Sequence, residues 1–144
     1  MLWRQWALCV AVFLLTTFPA MAQQQELTAA DRTAIQTVIE RQIDAFRNDD
    51  AAGAFAFASP MIQAQFGTAA YFMSMVQTAY PPVYRPRHVA FKTLHMVQGV
   101  PTQPVLLVGP DGVPVIALYV MEKQPDGAWK IDGCYLIAFK GEQL

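Results

Sequence analysis

Cysteine, histidine and charge are all scarce in this sequence, and each scarcity removes a class of explanation. There are 2 cysteines and 2 histidines in 144 residues, and charged residues make up 15% of the chain. Cys9 lies inside an apolar run at residues 6–18; if that run is removed, Cys134 stands alone and no intrachain disulfide can form. A lone thiol in an oxidising compartment survives best when buried, so core packing is the expected role of Cys134. His88 and His95 have no further ligands at matching spacing, and no metal site is read. There is no basic stripe, which argues against a nucleic-acid partner, and no acidic tail. Gly-x-Ser-x-Gly elbows, phosphate loops and dinucleotide fingerprints are all missing, so no cofactor is read. Repeats and low-complexity segments are missing as well.

The N-terminus reads as a secretory signal. Arg4 supplies a positive charge, the apolar run follows, Pro19 breaks it, and Ala20-Met21-Ala22 is a small-x-small cleavage site before Gln23. The run counts 13 residues against the roughly 20 that a spanning helix needs, so an uncleaved anchor is disfavoured. Cys9 has no small residues just before it, so no lipid-attachment site is read there. The expectation is a signal at residues 1–22 and a single α+β domain at residues 23–144, periplasmic or secreted, with no membrane span after cleavage. Removing 22 residues leaves 122, one ordinary domain, and losing Arg4 leaves 9 basic against 11 acidic residues, a net charge of about −2.

What is present falls into two halves. Thr28 with Asp31 three residues on forms a capping-box signature, and Ile35, Val38, Ile39, Ile43 and Phe46 follow at steps of three and four. The spacing predicts an amphipathic helix of about five turns. Shorter helices are expected at residues 51–58, 60–66 and after the Thr68 N-cap, with Tyr80-Pro81-Pro82 ending the helical half. The period then switches to two. Strands are expected over residues 89–98, 104–108, 115–122 and 129–139, with a turn region at residues 99–103. Gly109-Pro110-Asp111-Gly112 and Gln124-Pro125-Asp126-Gly127 are turns of one chemistry: proline presets one residue and glycine permits positive φ. Helices followed by an antiparallel meander of about four strands indicate an α+β fold.

Two phrases carry a family resemblance. Trp129-Lys130-Ile131-Asp132-Gly133 on the last strand, and the first-helix pattern Ala-Ile-x-x-Val-Ile-x-x-Gln-x-x-Ala-Phe at residues 34–46, resemble the nuclear transport factor 2-like superfamily. More narrowly, Ala58-Ser59-Pro60, the segment Tyr80-Pro81-Pro82-Val83-Tyr84-Arg85 and residues 129–136 are similar to a bacterial family, domain of unknown function 4864. The resemblance implies a cone in which a curved sheet wraps the first helix and can enclose a pocket. In that superfamily the pocket hosts isomerases, dehydratases, hydrolases or plain ligand binding, so fold alone does not decide function.

The candidate residues are few. Asp132 and His95 are the candidate catalytic residues, because acid–base work needs a carboxylate or imidazole deep in a pocket. By strict alternation Asp132 shares a face with Lys130 and Cys134, while Trp129, Ile131, Gly133, Tyr135 and Ile137 share the other. His95 is in register with Phe91 and Val97, and is expected to face the interior. Glu122, beside Lys123, reads as a solvated strand end. Phe55, Phe72 and Tyr135 are candidate ligand-binding residues, from an aromatic and methionine content that can line an apolar cavity or fill the core. Tyr84-Arg85-Pro86-Arg87-His88 is the one local basic cluster. Three functions are expected in order of preference: a non-catalytic module binding a small apolar ligand or an envelope protein; an isomerase- or hydrolase-type enzyme; and an assembly protein forming a homodimer through its sheet.

Overall fold

The computed structural model describes residues 26–141. The expected signal at residues 1–22, with Cys9, lies outside the described residues. Five helices come first: α1 Ala29–Arg47, α2 Ala51–Ala56, α3 Pro60–Phe66, α4 Ala69–Ala79 and α5 Pro81–Tyr84. Five strands follow: β1 His88–Phe91, β2 His95–Val97, β3 Val100–Val108, β4 Pro114–Lys123 and β5 Trp129–Ala138. They form one antiparallel sheet in the order β1-β3-β4-β5, with β2 also on β3. The fold is α+β, and the sheet is not closed into a barrel.

α1 begins where its cap dictates. The Thr28 hydroxyl accepts from the Asp31 backbone N–H at 3.0 Å, and the Asp31 carboxylate accepts from the Thr28 N–H at 3.1 Å. Asp31 does more than cap. It also accepts from Lys123 Nζ at 2.9 Å and from Trp129 Nε1 at 3.1 Å, pinning the start of α1 to the β4–β5 hairpin. The Lys123 ammonium, followed by the Thr28 contacts, holds its carboxyl well below the usual carboxylate range. The apolar face of α1 buries Ile35, Ile39, Ile43 and Phe46 with Val105, Leu107, Ala117, Met121, Trp129 and Ile131 of the sheet. Each such side chain contributes roughly 1.5–3 kcal/mol.

Serine and threonine also start the short helices. Ser59 Oγ accepts from the Ile62 N–H, and Thr68 Oγ1 from the Tyr71 N–H, each at 3.2 Å. The helix at residues 60–66 stands where expected, while α2 ends two residues early, at Ala56. Tyr80-Pro81-Pro82 does not end the helical half: the prolines occupy the first turn of α5, where a missing N–H costs nothing. Both Pro-Asp-Gly turns form, with Gly112 at φ 75° and Gly127 at φ 88°.

The sheet departs from the expected meander at two points. The single strand expected at residues 89–98 is two strands. Phe91 pairs with Val105 and His95 with Thr102, so three residues on one side face two on β3. The extra residue resets the alternation: Leu94 turns into the core and His95 turns out to solvent. The cause is Pro104. Lys92 N–H donates to the Pro104 carbonyl at 3.0 Å, but proline has no N–H to return. The buried Gln103 amide supplies it, with Nε2 donating to the Lys92 carbonyl at 2.7 Å. That substitution lets β3 run unbroken from Val100 to Val108, where a turn at residues 99–103 was expected. The turn is Gln98-Gly99, both at positive φ, the hairpin geometry that matches strand twist.

The second departure is in β5. Val120 pairs with Gly133 and Met121 with Ile131, leaving Asp132 as a bulge. Parity flips there. Trp129 and Ile131 face the helices before the bulge, and Cys134 and Leu136 face them after it. Tyr135 and Ile137, expected on the face of Trp129, are exposed. Asp132 and Cys134 both line one site, as strict alternation places them, and the bulge brings Ile131 to the same side.

Candidate functional site

The bulge sits at the free edge of the sheet, where the chain between α2 and α3 passes. Ser59 N–H donates to the Ile131 carbonyl at 2.8 Å and Ile131 N–H to the Phe57 carbonyl at 2.9 Å, a one-residue parallel bridge at Ala58. Past that bridge, α3 and α4 stand off from β5 and a pocket of about 260 Å³ opens. Phe46, Phe66, Phe72, Val76 and Ile131 give it apolar walls, and Tyr119, Asp132, Cys134 and Tyr80 bring polar groups. The walls are built by aromatic stacking: Phe72 lies 6.1 Å from Phe46, 5.3 Å from Phe55 and 5.5 Å edge-on from Phe66.

Tyr119 crosses the middle of the sheet, opposite Gln103 on one side and Cys134 on the other. Its side chain is fully buried, and its hydroxyl has no hydrogen-bond partner. Gln124 Nε2, in the β4–β5 turn, is the other such atom among the described residues. A buried hydroxyl left unpaired costs about 1–3 kcal/mol. The Cys134 thiol lies beside it, and the Tyr119 hydroxyl offsets part of the effect of burial on that thiol. Cys134 is half-buried as a residue, but its sulfur is enclosed, and burial pushes the thiol up to about 12. Burial likewise raises the Tyr119 phenol well above its ordinary value, and raises Tyr80. At neutral pH the pocket floor thus offers protonated donors and no reactive thiolate.

Asp132, half-buried, lines the same pocket and accepts from Ser59 Oγ at 2.6 Å. Ser59 spends its hydroxyl twice, capping α3 and holding Asp132, so the pair anchors the pocket wall. The other sequence candidates divide. Phe72 and Tyr135 line the pocket, Tyr135 from its exposed rim. Phe55 does not line it; it packs behind Phe72 as a wall support. His95 is a correction: it stands exposed on β2, away from the pocket, because the extra residue after Phe91 reverses its face. Two members of the basic cluster are tied into the fold. Arg85 pairs with Asp49 at 2.8 Å and also donates to the Phe46 carbonyl, and Tyr84 donates to Asp49. Tyr84 and then Arg85 hold the Asp49 carboxyl below its usual range.

Sequence reasoning missed Tyr119. Its signal was present, since alternation along residues 115–122 places Tyr119 with the apolar Val115, Ala117 and Met121. A tyrosine in that row must find a partner or leave a donor free. Among the described residues no group of three or more His, Cys, Asp or Glu stands close enough to hold a metal ion, and no helix is long and apolar enough to cross a membrane. The family model described as Domain of unknown function (DUF4864) matches residues 28–144. No match was found among curated proteins.

Proposed function

The chain belongs to the DUF4864 family, a domain of unknown function, and from that premise we propose that it is a non-catalytic module that binds a small ligand between its helices and β5. The observation that carries this reading is the pocket itself, walled by Phe46, Phe66, Phe72, Val76 and Ile131 and edged by the polar groups of Tyr80, Asp132 and Cys134. Ligand sites are concave, mostly apolar and provided with a few convergent polar groups, which is the composition of this one. Its volume of about 260 Å³ lies below the roughly 300–1,000 Å³ of drug-sized sites, so the ligand is small. The domain is further proposed to be a nuclear transport factor 2-like cone, on the strength of its helices-then-sheet order and the Trp129-Lys130-Ile131-Asp132-Gly133 strand. It is proposed to act in the periplasm or outside the cell, on the strength of Arg4, the apolar run at residues 6–18 and Ala20-Met21-Ala22. Native mass spectrometry of the protein isolated from producing cells tests the binding reading. A retained adduct of constant mass is expected, and a clean unliganded mass at gentle activation overturns it.

An acid–base enzyme is the second reading, favoured by one observation: Asp132 lies in the pocket with a hydroxyl at 2.6 Å. What weighs against it is that Ser59 is committed to capping α3. A carboxylate base needs a substrate proton within reach, and Asp132→Asn abolishes turnover if this reading holds while leaving simple ligand retention in place.

A further inference from the structure

The polar groups that a ligand can reach in the pocket are acceptors, and one of them is charged. Asp132 is the only charged side chain in the lining; lysine, arginine and histidine are all absent from it. Among the described residues Asp132 pairs with no cation. Lys130, two residues away, donates Nζ to the Ala56 carbonyl at 2.6 Å instead. Asp132 Oδ1 accepts from Ser59 Oγ, and Oδ2 has no donor. Gln42 supplies a second acceptor. It lines the same pocket, is only 3% exposed, and its Nε2 donates to the Ala54 carbonyl at 3.1 Å. That bond fixes the amide and leaves its Oε1 without a donor. The fully enclosed unpaired side-chain atoms among the described residues are Tyr119 Oη and Gln124 Nε2; Gln42 Oε1 and Asp132 Oδ2 are not among them and keep access to open space. The pocket is a space that both residues border. The Tyr119 hydroxyl and the Cys134 thiol are enclosed and do not compete as donors. The remaining polar lining groups are the Gln65 amide and the Tyr80 and Tyr135 phenols, each of which can accept.

We infer that the pocket selects a compact organic ammonium, an apolar ring-sized body bearing one amine, seated with its N–H groups on the Asp132 carboxylate and with Gln42 Oε1 as a further acceptor on the wall. This rests on the binding reading above and adds the chemical class. An ammonium is a donor with no acceptor, so it matches a lining that offers acceptors and a single uncompensated negative charge. The aromatic faces of Phe66, Phe72, Tyr80 and Tyr135 suit both the ring and the cation, since a ring quadrupole attracts positive charge. An organic anion would shed its hydration, meet no cation and face the Asp132 carboxylate.

The test uses the full-length protein as produced, isotopically labelled, and four probes on one frame: benzylamine, benzyl alcohol, toluene and benzoate. Amide chemical shifts of the pocket residues are followed in NMR titrations in about 0.15 M salt, which screens attraction to the protein surface at large. Benzylamine is expected to bind at least about tenfold more tightly than benzyl alcohol, the advantage of a charge-assisted over a neutral hydrogen bond. Benzoate is expected to bind most weakly of the four. Asp132→Asn keeps an acceptor for Ser59 while removing the charge, and should bring benzylamine down to the affinity of benzyl alcohol and leave toluene unchanged. Equal binding of benzylamine and benzyl alcohol, a preference for benzoate, or an unchanged benzylamine affinity in Asp132→Asn overturns the chemical class while leaving the pocket a binding site. The ranking of the four probes is read on the wild-type protein, so it decides the class even where the variant fails to fold. If no probe shifts the pocket amides, both the class and the binding reading fall.

Discussion

The sheet carries one extra residue at two places, between β1 and β2 and within β5, and the two irregularities do opposite things. At residues 92–94 the extra residue is absorbed: Pro104 withholds an N–H, Gln103 supplies one, and Leu94 is left in the core. At Asp132 the extra residue opens the structure: the alternation flips, Cys134 turns inward beside Tyr119, and a pocket lies against the strand there. One device therefore serves closure in one place and access in the other. What separates them is polar accounting. A buried group that is satisfied adds to the scaffold's stability, and one that is not subtracts from it.

That contrast can be broken or sharpened by experiment. The largest expected effect is chemical. With its thiol pushed up to about 12, Cys134 should be alkylated by iodoacetamide at pH 8 about a thousandfold more slowly than an ordinary cysteine, and at the ordinary rate only in denaturant. The sign on stability follows. A thiol whose folded value is raised keeps its full contribution below the unfolded value, near pH 9, and loses it progressively toward pH 12. Alkaline unfolding of wild type against Cys134→Ala checks this, and an identical alkaline limb in the two would contradict it. Next in size is deletion of Asp132. Deletion should leave Cys134 and Leu136 facing the helices, because Gly133 then follows Ile131 in regular alternation, and should lower stability by about 1–3 kcal/mol in urea titrations through loss of the Ser59 contact. Gln103→Leu should follow at about 1–3 kcal/mol, because the Lys92 carbonyl loses its donor. Smallest, and opposite in sign, is Tyr119→Phe. It removes an unpaired buried hydroxyl and should raise stability by about 1 kcal/mol. A loss of stability in Tyr119→Phe equal to that in Gln103→Leu would erase the distinction between the two irregularities.

Much of the fold was legible because much of it is local. The Thr28 cap, the start of α3 at Ser59-Pro60 and both Pro-Asp-Gly turns depend on residues within four positions of each other, and all stand where the sequence places them. The site was legible only in part. Asp132, Phe72 and Tyr135 were singled out and do line the pocket, but His95 was assigned to the wrong face and Phe55 to the wrong layer. Tyr119 was passed over, since a tyrosine in an apolar row reads as core, and its side chain is indeed buried there.

The sequence by itself therefore determined the α+β order, the starts of α1 and α3 and the two Pro-Asp-Gly turns. The propensities behind them act over a turn or less of chain. Only the tertiary structure decided which face Asp132, Cys134 and His95 present. Side-chain parity along a strand holds until an extra residue resets it, and an extra residue exists only relative to a partner strand. Pairing Val120 with Gly133 and Phe91 with Val105 joins residues that lie 13 and 14 positions apart in the chain. No local pattern encodes that register, and the pocket depends on it.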